Sequence, residues 1–458
     1  MRFSSRQTSP ADPETTPPDD PTGAAPGLER RTIRRVTCRI MPFIMLCYFV
    51  AYLDRVNVGF AALQMNQALG LNAAAYGFGA GLFFLGYCAC EVPSNLLLFK
   101  FGARRWIARI MFTWGLCAAA MAFIGGETGF YVVRTLLGMA EAGFHPGVLF
   151  FFTLWFPEAY RARVLGLFFA AIPVSGIIGA PVSGLLLSLD GYAGLQGWQW
   201  LYLLEALPAL VLAPVVAIYL QDAPAQARWL PADGRDWLVA RMASEKRQLE
   251  SKGIYSVLQA LTSPAVLFLA AIYFTNVCLN NAIALFLPQI VKGFGLSNAQ
   301  TGLVAAIPSA AALVAVIWIG NRSDKWHERY GHAAFANLVG GGALLASALL
   351  QDPTARVAAL AMALAGTLSF AAVFWAIPGA FLTGIGAAGG IAAISALGIV
   401  GGFAAPWQVG YLKDATGDFR WGLGTVGCLA ILAAAALYVA GRLRQAAARP
   451  HPVGMPQT

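Results

Sequence analysis

Residues 40–60 read IMPFIMLCYFVAYLDRVNVGF, a long apolar run that closes on an acid and a base side by side, Asp54 and Arg55. A helix needs roughly 20 predominantly apolar residues to cross a bilayer, and this stretch supplies them. Ionisable side chains within such a run are rare and face a partner or a water-filled cavity. The stretch therefore predicts a membrane span and marks a place where polar chemistry is built into it.

The rest of the chain has the same character. Its 458 residues are 58% hydrophobic and 12% charged, with a mean hydropathy of +0.63. A soluble domain carries about 25% charged residues, so lipid is the solvent this composition suits. The net charge of +9 would fit nucleic acid if gathered in one patch. It tracks membrane orientation instead, and no nucleic-acid partner is expected. The 7 cysteines, most of them inside apolar runs, read as small apolar residues rather than as disulfides or a metal site. Residues 1–27 are rich in Pro, Ser, Thr and Asp and lack an apolar core, which predicts a disordered cytoplasmic tail and no cleavable signal peptide.

Spans are expected near 36–60, 74–98, 105–123, 130–153, 163–187 and 198–219, then near 265–290, 299–320, 333–350, 355–378, 380–404 and 420–442. Lys and Arg fix the orientation. With the N-terminus inside, the cytoplasmic segments hold the arginines of 30–39, Lys100 to Arg109, Arg161 and Arg163, six in the middle loop, Arg322 to Arg329, and Arg442 to Arg449. Only Lys292, Arg356, Lys413 and Arg420 fall on the other side. The halves echo each other, with FKFGARRW (99–106) and GNRSDKWHER (320–329) each following the second span of its half. The chain is thus expected to be an all-α integral membrane protein with twelve transmembrane helices in two six-helix bundles and both termini cytoplasmic. The bundles occupy 28–219 and 265–442, separated by a cytoplasmic loop at 220–264 and followed by a tail at 443–458.

Three stretches carry a family resemblance: YLDRVNVGFA in span 1, GYCACEVPSNLLLFKFGARRWIARI from span 2 into span 3, and RTLLGMAEAGFHPGVLFFFTLWFPEAYRAR across span 4. The sequence resembles the major facilitator superfamily, and within it the anion:cation symporters, such as the tartrate, sugar-acid, phthalate and hydroxyphenylacetate permeases. The resemblance implies an inner-membrane carrier of organic anions, driven by protons. Two positions depart from the pattern. Phe99 stands where the superfamily usually has an acid three residues before Gly102, whereas the second-half copy keeps Asp324. Span 11 has Ser395 and Ile399 where relatives often show asparagines.

Four helices of the first half carry ionisable residues: Asp54 and Arg55, Glu91, Arg134 with Glu141, and Glu205. At about 100° per residue Arg134, Glu141 and His145 fall within roughly 40° of one another, which predicts one polar stripe on span 4. Tyr87 shares a face of span 2 with Glu91, and Tyr273, Asn276 and Asn280 form a stripe on span 7. Arginine keeps its proton and its planar fork matches a carboxylate. Buried acids near a guanidinium are pulled both ways and can load or release a proton. The resemblance assigns proton coupling to Asp54 and Glu141, and anion binding to Arg55, Arg134 and Tyr87. His145, Tyr273, Asn276, Asn280, Trp375 and Ser395 are further candidates for substrate contact. The adjacency of Asp54 and Arg55 predicts that proton and anion occupancy influence each other directly. Duller readings stand beside these: mutual neutralisation of Asp54 and Arg55, outward snorkelling of either arginine, and packing or gating roles for His145, Glu91, Glu205, Trp375 and Ser395.

GIGAAG (384–389) fits a dinucleotide fingerprint, but that motif needs a preceding strand, and small residues in an apolar run serve helix approach. No cofactor, metal or enzyme activity is expected. The expected partners are a small carboxylate, protons and the bilayer, with the protein monomeric. A proton-independent exchanger or uniporter is the alternative, and a transporter-like ligand sensor a more distant one.

Overall fold

The computed structural model describes residues 27–250, 263–326, 328–379 and 385–447. The expected tail at 1–27 lies outside the described residues except for Gly27, as do 448–458 and the junction of spans 10 and 11 at 380–384. Among the described residues, twelve helices are long and apolar enough to cross a membrane. In the first half they are Leu28–Leu69, Ala73–Phe101, Ala103–Phe123, Gly126–Trp155, Glu158–Leu189 and Gly197–Tyr219. The second half contributes Pro264–Lys292, Asn298–Ser323, Tyr330–Leu349, Pro353–Pro378, Gly390–Thr416 and Arg420–Gln445. Helices suit lipid because each backbone N–H and C=O finds its partner within the segment.

Several expected boundaries move. Span 1 begins at Leu28 rather than near 36, because the arginine-rich stretch continues the helix below the apolar run. Span 11 runs on to Thr416 rather than ending near 404, carrying Gln408, Lys413 and Asp414 on helix. The central loop holds a helix, Ala232–Glu250, that docks on the first bundle. Its Trp237 and Leu238 are buried, and Glu245 accepts from Arg161 Nη2 at 3.0 Å and from the Glu158 N–H at 3.1 Å. Where Phe99 replaces the usual acid, Asp222 from the end of span 6 fills in. Its Oδ1 accepts the Arg104 N–H at 2.8 Å, at the start of span 3.

Span 4 is broken. Helix runs Gly126–Glu141 and resumes Phe144–Trp155, with Gly143 at φ 88° between them. A left-handed residue suits glycine, and a Cβ there would also overlap Ser94. The Ala142 carbonyl is satisfied by the Ser94 hydroxyl, which donates to it at 2.6 Å. The single stripe expected along span 4 therefore ends at Glu141, and His145 starts a second helix in a new register.

The two bundles meet along their outer halves. Tyr76 Oη donates to the Leu285 carbonyl at 3.2 Å. Asp414 on span 11 accepts the N–H groups of Ala73 and Ala74, at 3.1 and 2.7 Å, at the start of span 2. Glycines bring the backbones together. A Cβ on Gly77 would overlap the Pro406 carbonyl oxygen, one on Gly302 would overlap that of Ala180, and one on Gly184 would lie 2.6 Å from that of Asn298. The face of span 2 that holds Gly77 and Gly81 continues through Phe84 and Cys88, where Cys88 Sγ reaches the Ala396 carbonyl at 3.9 Å. Further inward that face is uncovered, with Val92 67% and Phe99 64% exposed. The bundles are thus joined along their outer halves, and this face of span 2 is exposed toward its inner end.

Candidate functional site

Span 1 presents Asp54 and Arg55 in different directions, because neighbours on a helix point about 100° apart. Arg55 turns toward span 4. Its Nε donates to Glu141 Oε1 at 2.8 Å, and Nη2 reaches the same oxygen at 2.6 Å. The guanidinium lies 5.6 Å from the rings of Tyr52 and Phe83 and 5.4 Å from that of Tyr87. The Arg55 side chain keeps 24% exposure, whereas that of Glu141 keeps 1%. Glu141 Oε2 has no hydrogen-bond partner among the described residues.

Arg134 is the most deeply enclosed cation of the group. It is 2% exposed, donates from Nη2 to the Ala80 carbonyl at 3.2 Å, and lies 5.0 Å from the Phe83 ring. Its Nε and Nη1 have no partner among the described residues. The two guanidiniums thus share the Phe83 ring, and the arginine behind it retains donor capacity.

Asp54 turns the other way, into the bundle. It accepts from Trp114 Nε1 on span 3 and from Asn57 Nδ2 at 3.2 Å. Asp54 and Arg55, expected to influence each other directly, share no hydrogen bond or ion pair: the carboxylate bound to Arg55 belongs to Glu141. Mutual neutralisation of Asp54 and Arg55 fails for the same reason.

The remaining candidates divide. His145 leaves the stripe and packs among aromatic rings, with Tyr48 at 5.9 Å and Phe169 at 5.7 Å. Tyr273 stacks on Phe374 at 5.5 Å and meets Trp375 edge-on at 4.9 Å. Asn276 directs its amide to the Thr367 carbonyl at 3.2 Å, tying span 7 to span 10. Asn280 and Ser395 are half-buried. Composition and spacing alone do not single out Trp114, Tyr52 or Phe83. Asn57 had a signal, standing one helical turn beyond Asp54 in YLDRVNVGF.

The sequence profile of the Major Facilitator Superfamily matches residues 44–406. The chain belongs to the major facilitator superfamily. A protein of Agrobacterium vitis named "Putative tartrate transporter" is 45% identical over 421 residues, covering 91% of this chain and 96% of its own length. The "Quinolone resistance transporter" of Acinetobacter baumannii is 42% identical, covering 86% and 91%. Among solved structures, a bacterial homolog of the human lysosomal transporter Spinster matches at a TM-score of 0.74 and 15% identity, covering 94% of this chain and all of that one. The Escherichia coli xylose transporter XylE matches at 0.70 and 13% identity, covering 92% and 100%. Membership of this superfamily, with twelve apolar helices, makes the chain a multi-pass inner-membrane transporter.

Proposed function

We propose that this transporter imports a small organic carboxylate together with protons by alternating access. The observation that carries the reading is the Arg55–Glu141 pair, its acid buried and its arginine part-exposed, with the second Glu141 oxygen unpartnered and Arg134 beside it holding two unpartnered nitrogens. A buried guanidinium short of acceptors costs several kcal/mol, and an incoming carboxylate offsets that cost.

The coupling works through Glu141. While ionised, it occupies the Arg55 fork. A proton on Glu141 withdraws the negative charge and leaves Arg55 free to hold a carboxylate. Anion and proton then bind together because each removes an obstacle to the other. Asp54 takes a second proton in the bundle interior. Import of one negative charge into a negative-inside cell costs about 2.3 kcal/mol per 100 mV, and one proton per charge cancels it. Tyr87 and Tyr273 add hydroxyls around the site, and His145, Trp375, Asn280, Asn276 and Ser395 shape its walls. Two cations sharing one ring suit an anion with more than one polar group. The relatives named for tartrate make a hydroxylated dicarboxylate the first compound to test.

Proteoliposomes holding the protein, given labelled tartrate and an imposed inward proton gradient, test this. The proposal expects accumulation above the external concentration. Uptake only when unlabelled tartrate is trapped inside would make the protein an exchanger.

A further inference from the structure

We propose that Glu205 of span 6 is a second proton-holding residue, sharing one proton with Asp54 across the side chain of Asn57. The inference rests on the proton-coupled reading above and adds a residue to it. Glu205 is 2% exposed. Among the described residues no cation forms an ion pair with it. Ser183 Oγ donates to its Oε1 at 2.7 Å, while Oε2 has no partner. On span 1, Asn57 Oδ1 also has no partner, although the Asn57 side chain faces Glu205 as well as Asp54.

One proton resolves both vacancies. A carboxylate buried without a cation costs several kcal/mol, whereas a protonated Glu205 Oε2 has an O–H to donate and Asn57 Oδ1 is an acceptor lacking a donor. Asp54 accepts two N–H groups, from Trp114 and Asn57, which is the pattern of an ionised acid. The hydrogen bonding therefore fits Asp54 ionised and Glu205 protonated.

An amide has nearly the same shape with its oxygen and nitrogen exchanged. Rotating the Asn57 amide by half a turn presents Nδ2 to Glu205 and Oδ1 to Asp54, which fits the opposite assignment. One O–H bond is lost at Glu205 and one formed at Asp54, and the pair keeps a single negative charge throughout. The polar groups around Asp54 and Glu205 come from spans 1 and 3 to 6: Asn57 on span 1, Trp114 on span 3, Arg134 and Glu141 on span 4, Ser183 on span 5 and Tyr202 on span 6. This network reaches Arg55 through Glu141 and not through Asp54, Asn57 or Glu205. It lets a proton remain in the bundle while the substrate site empties.

Infrared spectroscopy of the full-length protein in liposomes, near neutral pH and in light and heavy water, reads the proton on the acid. The proposal expects a deuterium-sensitive protonated-carboxyl band that Glu205→Gln removes. In that variant the introduced amide N–H donates to Asn57 Oδ1, which holds Asn57 Nδ2 on Asp54 as a donor and favours the ionised acid. The pH at half-maximal proton-driven uptake should then fall by about one unit or more, tenfold in proton concentration. A band that survives Glu205→Gln, or an uptake profile that superimposes on the wild type, overturns the proposal. Should that variant not assemble, Ser183→Ala keeps the acid and removes its hydroxyl donor. The band must then shift, and an unshifted band overturns the proposal equally. A Glu205 band in a wild type without proton-driven uptake would instead place the failure in the proton-coupled reading, and remove the transport role of Glu205 with it.

Discussion

Gly77→Ala perturbs the seam between spans 2 and 11, which closes the outer side. A Cβ there would overlap the Pro406 carbonyl oxygen and lie 2.8 Å from its carbon and 3.3 Å from Trp407 Cα. These are backbone atoms on a continuous helix, so no rotamer change relieves the contact. Overpacking of this kind costs about 1–3 kcal/mol. The cost falls only on the outward-closed state, because the seam parts when the bundles rock, so the population should move toward outward-open by about 5- to 150-fold. Spin labels at Ala68 and Ala415, in a cysteine-free background, measure the separation of the outer ends by pulsed electron resonance. A longer-distance population should grow in Gly77→Ala. Gly138→Ala is the control, since its Cβ would overlap the Phe83 carbonyl inside the first bundle and burden both states alike. It should lower the melting temperature and leave the distances unchanged. The reasoning is refuted if Gly77→Ala behaves as Gly138→Ala does.

Arg55→Lys keeps the charge and loses the planar fork that holds Glu141. Losing charge-assisted hydrogen bonds worth about 1.5–3 kcal/mol should weaken substrate binding roughly ten- to a hundredfold, read from tartrate-induced thermal stabilisation; equal stabilisation would argue against contact with Arg55. Asp414→Asn removes a negative charge from the N-terminus of span 2, where it accepts from Ala73 and Ala74. At about 0.3–1 kcal/mol this should raise the outward-open population by a few-fold in the same distance measurement. In the cytoplasmic turn after span 8, partial burial opposes ionisation of Glu328. The Gly331 N–H and the His332 imidazole and N–H outweigh that and hold its carboxyl below the ordinary value. A lowered folded value contributes stability that is present above the unfolded value, about 4.3, and fades as pH falls through the lowered one. Melting curves of Glu328→Gln should therefore fall less steeply than those of the wild type over that acid window, and parallel curves would remove Glu328 from the account.

The spans were legible because lipid imposes length and apolarity on every one of them, and the loop arginines gave their orientation. Arg55, Glu141 and Tyr87 were legible as expensive or polar groups on apolar helices of the first half, and the structure brings these three together. Sequence adjacency misled for Asp54 and Arg55, since consecutive helical residues diverge and their partners lie 60 and 86 residues away. The break in span 4 was hidden because a glycine in an apolar run serves close packing as readily as a left-handed turn. What decides it is Ser94 meeting the Ala142 carbonyl from another helix. Span 11 looked finished near 404 because Gln408, Lys413 and Asp414 are polar, yet Asp414 stays on helix to cap its neighbour in the other bundle. The helix at 232–250 carries a loop's composition, and its docking depends on Glu245 finding Arg161 in the first turn of span 5.

Asp54→Asn is the most direct trial of proton-coupled import. An amide oxygen still accepts from Trp114, so the fold is expected to hold, while the titrating group is gone. Substrate and proton uptake are recorded together in liposomes with an acidic exterior. Wild-type protein should take up protons with tartrate and concentrate it inside, whereas Asp54→Asn, left with the Glu141 proton alone, should take up fewer protons per tartrate and accumulate it less. Accumulation against the gradient by Asp54→Asn at the wild-type level would contradict the account.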